Sequence, residues 1–151
     1  NDTTVQALPG EHGFEVVEDD GHHKVECDIY SPCARGAGIN DDTIPELRCR
    51  AVAGCANNQL LDPSHALALR ERGILYAPDY VLNAGGIINV SVELMPGGYD
   101  EVVAMEHIGK IYDNLKRVFA ISREDDVPTN EAAKRLAEQR LKAGSVERAG
   151  A

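Results

Sequence analysis

The spacing of apolar and polar residues changes character in the last third of the chain. Before that point, three short runs rich in Val, Ile and Tyr, KVECDIYSPC (24–33), RAVAGCAN (50–57) and GILYAPD (73–79), each end in small residues or a proline. Runs of this kind, bounded by turn formers, predict strands. Between them lie INDDTIPELRC (39–49) and LLDPSHALALRERG (60–73). In the second, Leu60, Leu61, Ala66, Leu67 and Leu69 follow a helical spacing, and Gly73 supplies the stop. Strands alternating with helices predict a parallel α/β sheet. Ligands of such sheets bind at the carboxyl ends of the strands, so PCARGAG (32–38), CANNQ (55–59) and APDY (77–80) are the stretches expected to carry function.

From Val102 onward the period is helical: Val102, Val103, Met105, Ile108, Ile111, Tyr112, Leu115, Val118, Phe119 and Ile121 recur every three or four residues and predict one long amphipathic helix. A second helix is expected after VPTNE (127–131), with Thr129 as N-cap, Glu131 in the first turn, and Ala133, Leu136 and Leu141 toward the core. AGSVERAGA (143–151) then reads as a frayed tail. At the other end, NDTTVQALPG predicts a helix capped by Asn1 or Asp2, while LPGEHG and VEDDGHH cluster glycine, proline and charge as surface loops do.

A parallel sheet that opens on a helix lacks the strand that should precede it. The nearest approach to a Gly-x-Gly-x-x-Gly fingerprint, Gly36-Ala37-Gly38, is followed three residues on by Asp41. The expected architecture is therefore a Rossmann-like parallel α/β sheet without its front βαβ half, followed by C-terminal helices. Residues 1–94 form a partial dinucleotide-binding domain in this reading, and 95–151 are helices packing on the same domain.

Composition narrows the partners. A formal charge of −10 argues against nucleic acid or an acidic membrane face, which require clustered Lys and Arg. No run approaches the roughly 18 apolar residues of a membrane span, and NDTTVQ has neither part of a signal peptide, so the cytosol is the expected compartment. Cys27, Cys33, Cys49 and Cys55 never form Cys-x-x-Cys, which is not zinc-site spacing, and their apolar surroundings predict buried, inert, reduced thiols. His22 and His23 stand beside Asp19, Asp20 and Gly21 and read as solvated loop residues, with no His-x-x-x-His pair to suggest a metal.

Residues 82–90, LNAGGIINV, set an asparagine and two glycines before an apolar segment. Paired glycines there imply either a tight turn or the close approach of another group to the backbone. Together with DIYSPCARGAGINDDTIPEL and AGCANNQL, the wider stretch ILYAPDYVLNAGGIINV closely resembles the amino-acid dehydrogenases that act on leucine, valine, phenylalanine or glutamate with a nicotinamide cofactor. The resemblance is to the branched-chain members, and it keeps order and spacing from Val25 to Leu141. It implies NAD as cofactor, an amino acid as substrate and a homo-oligomeric assembly. It also implies an N-terminal domain with two lysines and an aspartate that do the acid–base chemistry, and a phosphate-binding glycine loop, neither of which this chain contains. No catalytic or metal-ligating residue is therefore expected within it.

What the resemblance does imply for this chain is a set of binding residues. Pro32, Cys33 and Ala34 match the strand end that runs beneath the nicotinamide ribose, where small residues let a cofactor approach the main chain. Asn57 matches the amide that faces both the nicotinamide and the α-amino or carboxylate group of the substrate, and Asn83 the one that fixes the carboxamide end of the cofactor. Gly85 and Gly86 supply the turn and the close approach. Ile87 and Val90 resemble the pair lining the substrate side-chain pocket, with ordinary core packing as the competing reading. An apolar Val90 would leave a glutamate side chain unpaired, and Ile87 is bulkier than a phenylalanine pocket would want, so leucine, valine and isoleucine are the expected substrates. Arg35 departs from the family pattern, which has an apolar residue there. Lys24 and the lysines of the helices read as surface charges. The alternative function is a module that keeps the nucleotide-facing strand ends for sensing and performs no chemistry.

Overall fold

The computed structural model describes Gly13, residues 15–17 and residues 21–149. The opening helix expected over 1–10, and most of the two early loops, lie outside the described residues.

Three strands, β1 (Cys27–Tyr30), β2 (Cys49–Val52) and β3 (Leu75–Tyr76), form a parallel sheet in the order β1-β2-β3. Tyr30 stands opposite Val52, and Val52 opposite Tyr76. Side chains alternate along a strand, so this row faces one side and the row Ile29, Ala51 and Leu75 the other. The first row joins a core with Ile39, Ile44, Leu47, Leu69 and Ile74. On the second, Ile29 and Leu75 are exposed.

The connectors depart from expectation in instructive ways. Residues 39–49 hold no α-helix, only a single 3-10 turn at Ile44–Glu46. Asn40 Oδ1 accepts from the backbone N–H groups of Asp42 and Thr43, each at 3.0 Å, and the Thr43 hydroxyl donates to Gly38 O at 2.7 Å. These local side-chain bonds compete with helical ones, and Pro45 adds a missing donor. Helix α1 (His65–Glu71) begins later than Leu60, because Asp62 Oδ1 accepts from Ser64 N at 2.9 Å in a local turn, while Leu60 pairs with Ile39 in an isolated parallel bridge. His65 is buried at the helix start, with Nδ1 accepting from Asp62 N at 3.0 Å and Nε2 3.3 Å from Asp41 Oδ1. Gly73 ends α1 at φ +72, as its stop role requires.

After β3 come α2 (Asp79–Leu82), α3 (Gly85–Glu93), α4 (Glu101–Glu124) and α5 (Thr129–Ala149). Asp100 caps α4, accepting from Val102 N at 2.8 Å and Val103 N at 3.2 Å. Thr129 is the first helical residue of α5 rather than its cap. Of the stretch 143–151 expected to fray, residues 143–149 are helical, since α5 runs to Ala149, and the last two lie outside the described residues. One glycine costs only about 1 kcal/mol relative to alanine in a helix, too little to stop one of 21 residues. Val118 and Ile121 of α4 pack with Ala132, Ala133 and Leu136 of α5, and Val81 of α2 joins them, which seats the C-terminal helices against the strand-end region. Leu141, expected to face the core, is exposed instead, as are Val102, Met105 and Tyr112. Among the described residues, no helix is long and apolar enough to cross a membrane.

Candidate functional site at the strand ends

The β1–β2 ladder slips by one residue as it leaves the sheet. Ala53 N donates to Tyr30 O at 3.0 Å in regular register, but Pro32 O is then taken by Ala56 N at 3.0 Å, so Cys55 is skipped. The freed Cys55 N–H donates instead to Cys33 Sγ at 3.4 Å. Glycine makes this crossing possible. A Cβ on Gly54 would lie 2.2 Å from Pro32 O, and one on Gly36 would lie 2.7 Å from Asn57 O. Gly85 and Gly86, by contrast, open helix α3. A Cβ on Gly86 would meet open space and one on Gly85 only Ile111 Cδ1 at 4.0 Å, so neither makes the close backbone approach expected of it within this chain.

Two asparagines meet beyond the ends of β2 and β3. Asn83 Nδ2 donates to Asn57 Oδ1 at 2.7 Å and to Cys55 O at 3.4 Å. Their separation is fixed from behind by Asp79, the first residue of α2, which is buried at 7% exposure. Its Oδ2 accepts from Asn58 N at 2.7 Å and its Oδ1 from the Tyr76 hydroxyl at 2.7 Å. Asn58 takes a positive φ of 52°, which asparagine tolerates better than most residues, and its bonded N–H holds the turn that presents Asn57. Gln59, fully buried, donates to Gly54 O at 2.5 Å and Ala56 O at 3.0 Å and pins the loop from below. Burial, and then the bond to Asp79, push the Tyr76 hydroxyl well above its ordinary range. Tyr80 is raised in the same sense by burial and by Asp79 and Glu131.

The expected residues do not all share one cavity. Asn57, Asn83 and Ile87 line a cavity of about 810 Å³ with Tyr80, Asp79 and Lys134. Pro32, Cys33 and Ala34 line another, of about 650 Å³, with Tyr30 and Arg35. The two groups are joined through the Cys55 peptide, whose N–H meets Cys33 and whose carbonyl meets Asn83. Val90 lines neither cavity. Ile87 and Val90 are 70% and 50% exposed on α3, so neither packs in the core formed by the described residues. Arg35 is exposed on the rim beside Cys33.

Several expectations from sequence need correction here. Cys33 and Cys55 are exposed, because they fall past the last paired residues of their strands, whereas Cys27 and Cys49 are half-buried; all four are free. The hydroxyl of Ser31 and the N–H of Cys55 lower the Cys33 thiol below its ordinary value. His22 and His23 are not simply solvated. His22 stacks on Tyr30 with ring centroids 5.9 Å apart, and His23 bonds Glu46 at 2.8 Å with its side chain only 10% exposed. Lys134 is exposed, as a surface charge is, and also lines the wall of the larger cavity. Asp79, Tyr76 and Tyr80 escaped notice as site-forming residues, although APDY marks a strand end.

A nicotinamide fits this donor set. The Asn57–Asn83 bond uses one amide hydrogen-bonding group of each residue and leaves Asn57 Nδ2 and Asn83 Oδ1, a donor and an acceptor, to meet a carboxamide. Residues 32–34 line the neighbouring cavity, with Cys33 and Ala34 exposed.

A three-stranded parallel sheet flanked by helices is part of a Rossmann-like α/β fold. This chain belongs to the Glutamate/Leucine/Phenylalanine/Valine dehydrogenase family, whose model matches residues 1–148. It is 49% identical over 141 residues to leucine dehydrogenase of Geobacillus stearothermophilus, covering 93% of this chain and 38% of that protein. With leucine dehydrogenase of Thermoactinomyces intermedius it shares 52% over 131 residues, 87% of this chain and 35% of the relative. The crystal structure of L-tryptophan dehydrogenase from Nostoc punctiforme superposes with a TM-score of 0.91 at 42% identity, over 96% of this chain and 43% of that one. The chain thus spans well under half the length of these relatives.

Proposed function

We propose that this chain is the coenzyme-side part of an enzyme that oxidatively deaminates a branched-chain L-amino acid, leucine, valine or isoleucine, to the 2-oxo acid and ammonia, with NAD as hydride acceptor. The observation that carries the reading is the 2.7 Å bond between Asn83 and Asn57 beside the exposed Ile87. It places a rigid amide pair next to apolar surface at the carboxyl ends of parallel strands. The similarity to leucine dehydrogenases supports the substrate class.

Bound there, the nicotinamide ring supplies the site that accepts hydride from the substrate Cα. The residues of this chain bind and orient. Asn83, buttressed by Asn57 and Cys55 O, would hold the carboxamide and so choose the ring face, which is the main contribution of a protein to such chemistry. Asn57 would keep a donor for the substrate without titrating at any working pH. Pro32, Cys33 and Ala34 would form the floor beneath the nicotinamide ribose. Ile87 and Val90 would contact the substrate side chain and exclude water around it. The groups that activate water and take up protons are proposed to come from an N-terminal domain. In this reading residues 1–94 are the partial coenzyme domain and 95–151 the helices packed on it.

An aromatic substrate is the second reading, favoured by the similarity to L-tryptophan dehydrogenase. Steady-state assays of the full-length protein with leucine, valine, isoleucine, phenylalanine, tryptophan and glutamate decide between them. The highest kcat/KM on a branched-chain substrate is expected. A preference for tryptophan or phenylalanine would install the second reading, and coenzyme binding without any turnover would favour the sensing module.

A further inference from the structure

The slip at the end of the β1–β2 ladder leaves two exposed thiols side by side. Cys27 and Cys49 are directly opposed in the ladder, and Cys33 and Cys55 repeat their offset of 22 residues just beyond it. Past the slip, the contact that holds the second pair together is the one from Cys55 N to Cys33 Sγ at 3.4 Å. The two pairs differ in setting. Cys27 and Cys49 are half-buried in regular sheet, where burial pushes the Cys49 thiol up and makes it a poorer nucleophile. Cys33 is exposed and lines a cavity with Pro32 and Ala34, and its sulfur sits 3.4 Å from the Ser31 hydroxyl and 3.4 Å from Cys55 N. Both groups stabilise charge on sulfur, which is what a reactive cysteine needs.

We propose that Cys33 and Cys55 form a hydroperoxide-sensitive dithiol that closes reversibly to a disulfide at the rim of the strand-end crevice. Cys33 acts first. Its thiolate attacks a peroxide oxygen, an S–O bond forms as the O–O bond breaks, sulfur is oxidised by two electrons, and the departing hydroxide takes up the thiol proton as water. Cys55 then displaces the second hydroxide from Cys33, forming the S–S bond, and that hydroxide leaves as water with the Cys55 proton. In sum, two thiols and one peroxide give one disulfide and two waters. The Cys55 N–H already lies outside the ladder and on Cys33 Sγ, so closing the disulfide breaks no ladder hydrogen bond of Cys55 N. The inference rests on the thiol geometry alone and stands whether or not the crevice takes a nicotinamide.

The test uses full-length protein, reduced, desalted and exposed to one equivalent of hydrogen peroxide, then digested under non-reducing conditions with fragment spectra assigning the bridged sulfurs. The expected product is a Cys33–Cys55 cross-link, lighter by two hydrogens and removed by dithiothreitol. In Cys55→Ser, given at least two equivalents of peroxide, Cys33 should instead go on to sulfinic acid, beyond dithiothreitol rescue, while Cys27→Ser at one equivalent should leave the cross-link intact. A Cys27–Cys49 bridge, sulfinic acid on Cys33 beside a free Cys55 in the unmutated protein, or four unmodified thiols would each overturn the proposal.

Discussion

The side-chain amide of Asn83 donates to Asn57 Oδ1 at 2.7 Å, although α1, β3 and α2 separate the two residues along the chain. The bond sits where β2 and β3 end, and it makes the two amides one unit. If that unit holds a nicotinamide, its loss and the loss of side-chain contacts should read out differently. In the full-length protein, Asn83→Ala should lower kcat for every amino-acid substrate by a common factor, on the order of tenfold or more. Val90→Ser should weaken the transition state for leucine by about 1–3 kcal/mol, and Ile87→Ala should raise kcat/KM for phenylalanine relative to leucine. Unchanged substrate ratios in both pocket variants would remove the basis for assigning Ile87 and Val90 to the substrate.

Asp79 holds the turn that presents Asn57, and its removal leaves the Asn58 N–H and the Tyr76 hydroxyl without their acceptor. Asp79→Ala is expected to destabilise the protein by about 1.5–3 kcal/mol, the range for hydrogen bonds to a charged group. Urea unfolding followed by circular dichroism measures this. A midpoint equal to that of the unmutated protein would mean that water replaces the carboxylate at no loss.

The glycines of the strand ends and of α3 should respond oppositely to alanine. Gly54→Ala would force a methyl group to 2.2 Å from Pro32 O, so the slipped ladder cannot form and the protein should fail to fold or lose most of its stability. Gly86→Ala puts the methyl in open space within a helix and should stabilise by about 0.5–1 kcal/mol. Comparable thermal midpoints for the two variants would contradict the close approach at Gly54.

Alkaline pH should destabilise the fold through its tyrosines. Burial first, and then Asp79, raise the Tyr76 hydroxyl above its ordinary 10.0, and burial raises Tyr30 and Tyr80 in the same sense. The native state keeps these protons after the unfolded chain has released them. The unfolded state then binds fewer protons, so stability is full below about pH 10 and falls as pH rises beyond it. Urea midpoints between about pH 8 and pH 11 should be level and then decline, with a shallower decline in Tyr76→Phe. An identical decline in that variant would assign the effect elsewhere.

The chain by itself should bind and orient without turning over. Purified residues 1–151, supplied with NAD and L-leucine, are expected to show no formation of reduced coenzyme by absorbance, because the proposed proton-transfer groups belong to an N-terminal domain. Detectable turnover would place a catalytic base within this stretch, with Lys134 on the cavity wall the first residue to test.

Alternation and helical periodicity by themselves determined the three strands, their parallel arrangement and the long α4, since burial of one face dictates both periods. The parallel α/β pattern pointed to the carboxyl ends of the strands, and the resemblance to the amino-acid dehydrogenases implied Asn57 and Asn83 there. What only tertiary structure decided is how those ends meet. The 39–49 connector lost its helix to hydrogen bonds from Asn40 and Thr43, a contest among local bonds that hydrophobic period does not register. Cys33 and Cys55 became exposed because a one-residue slip, permitted by Gly54, ended the ladder before them. Asp79 and Lys134 reached the site from α2 and α5, and Leu141 stayed outside the core, because each outcome depends on where a helix packs rather than on which residues it contains.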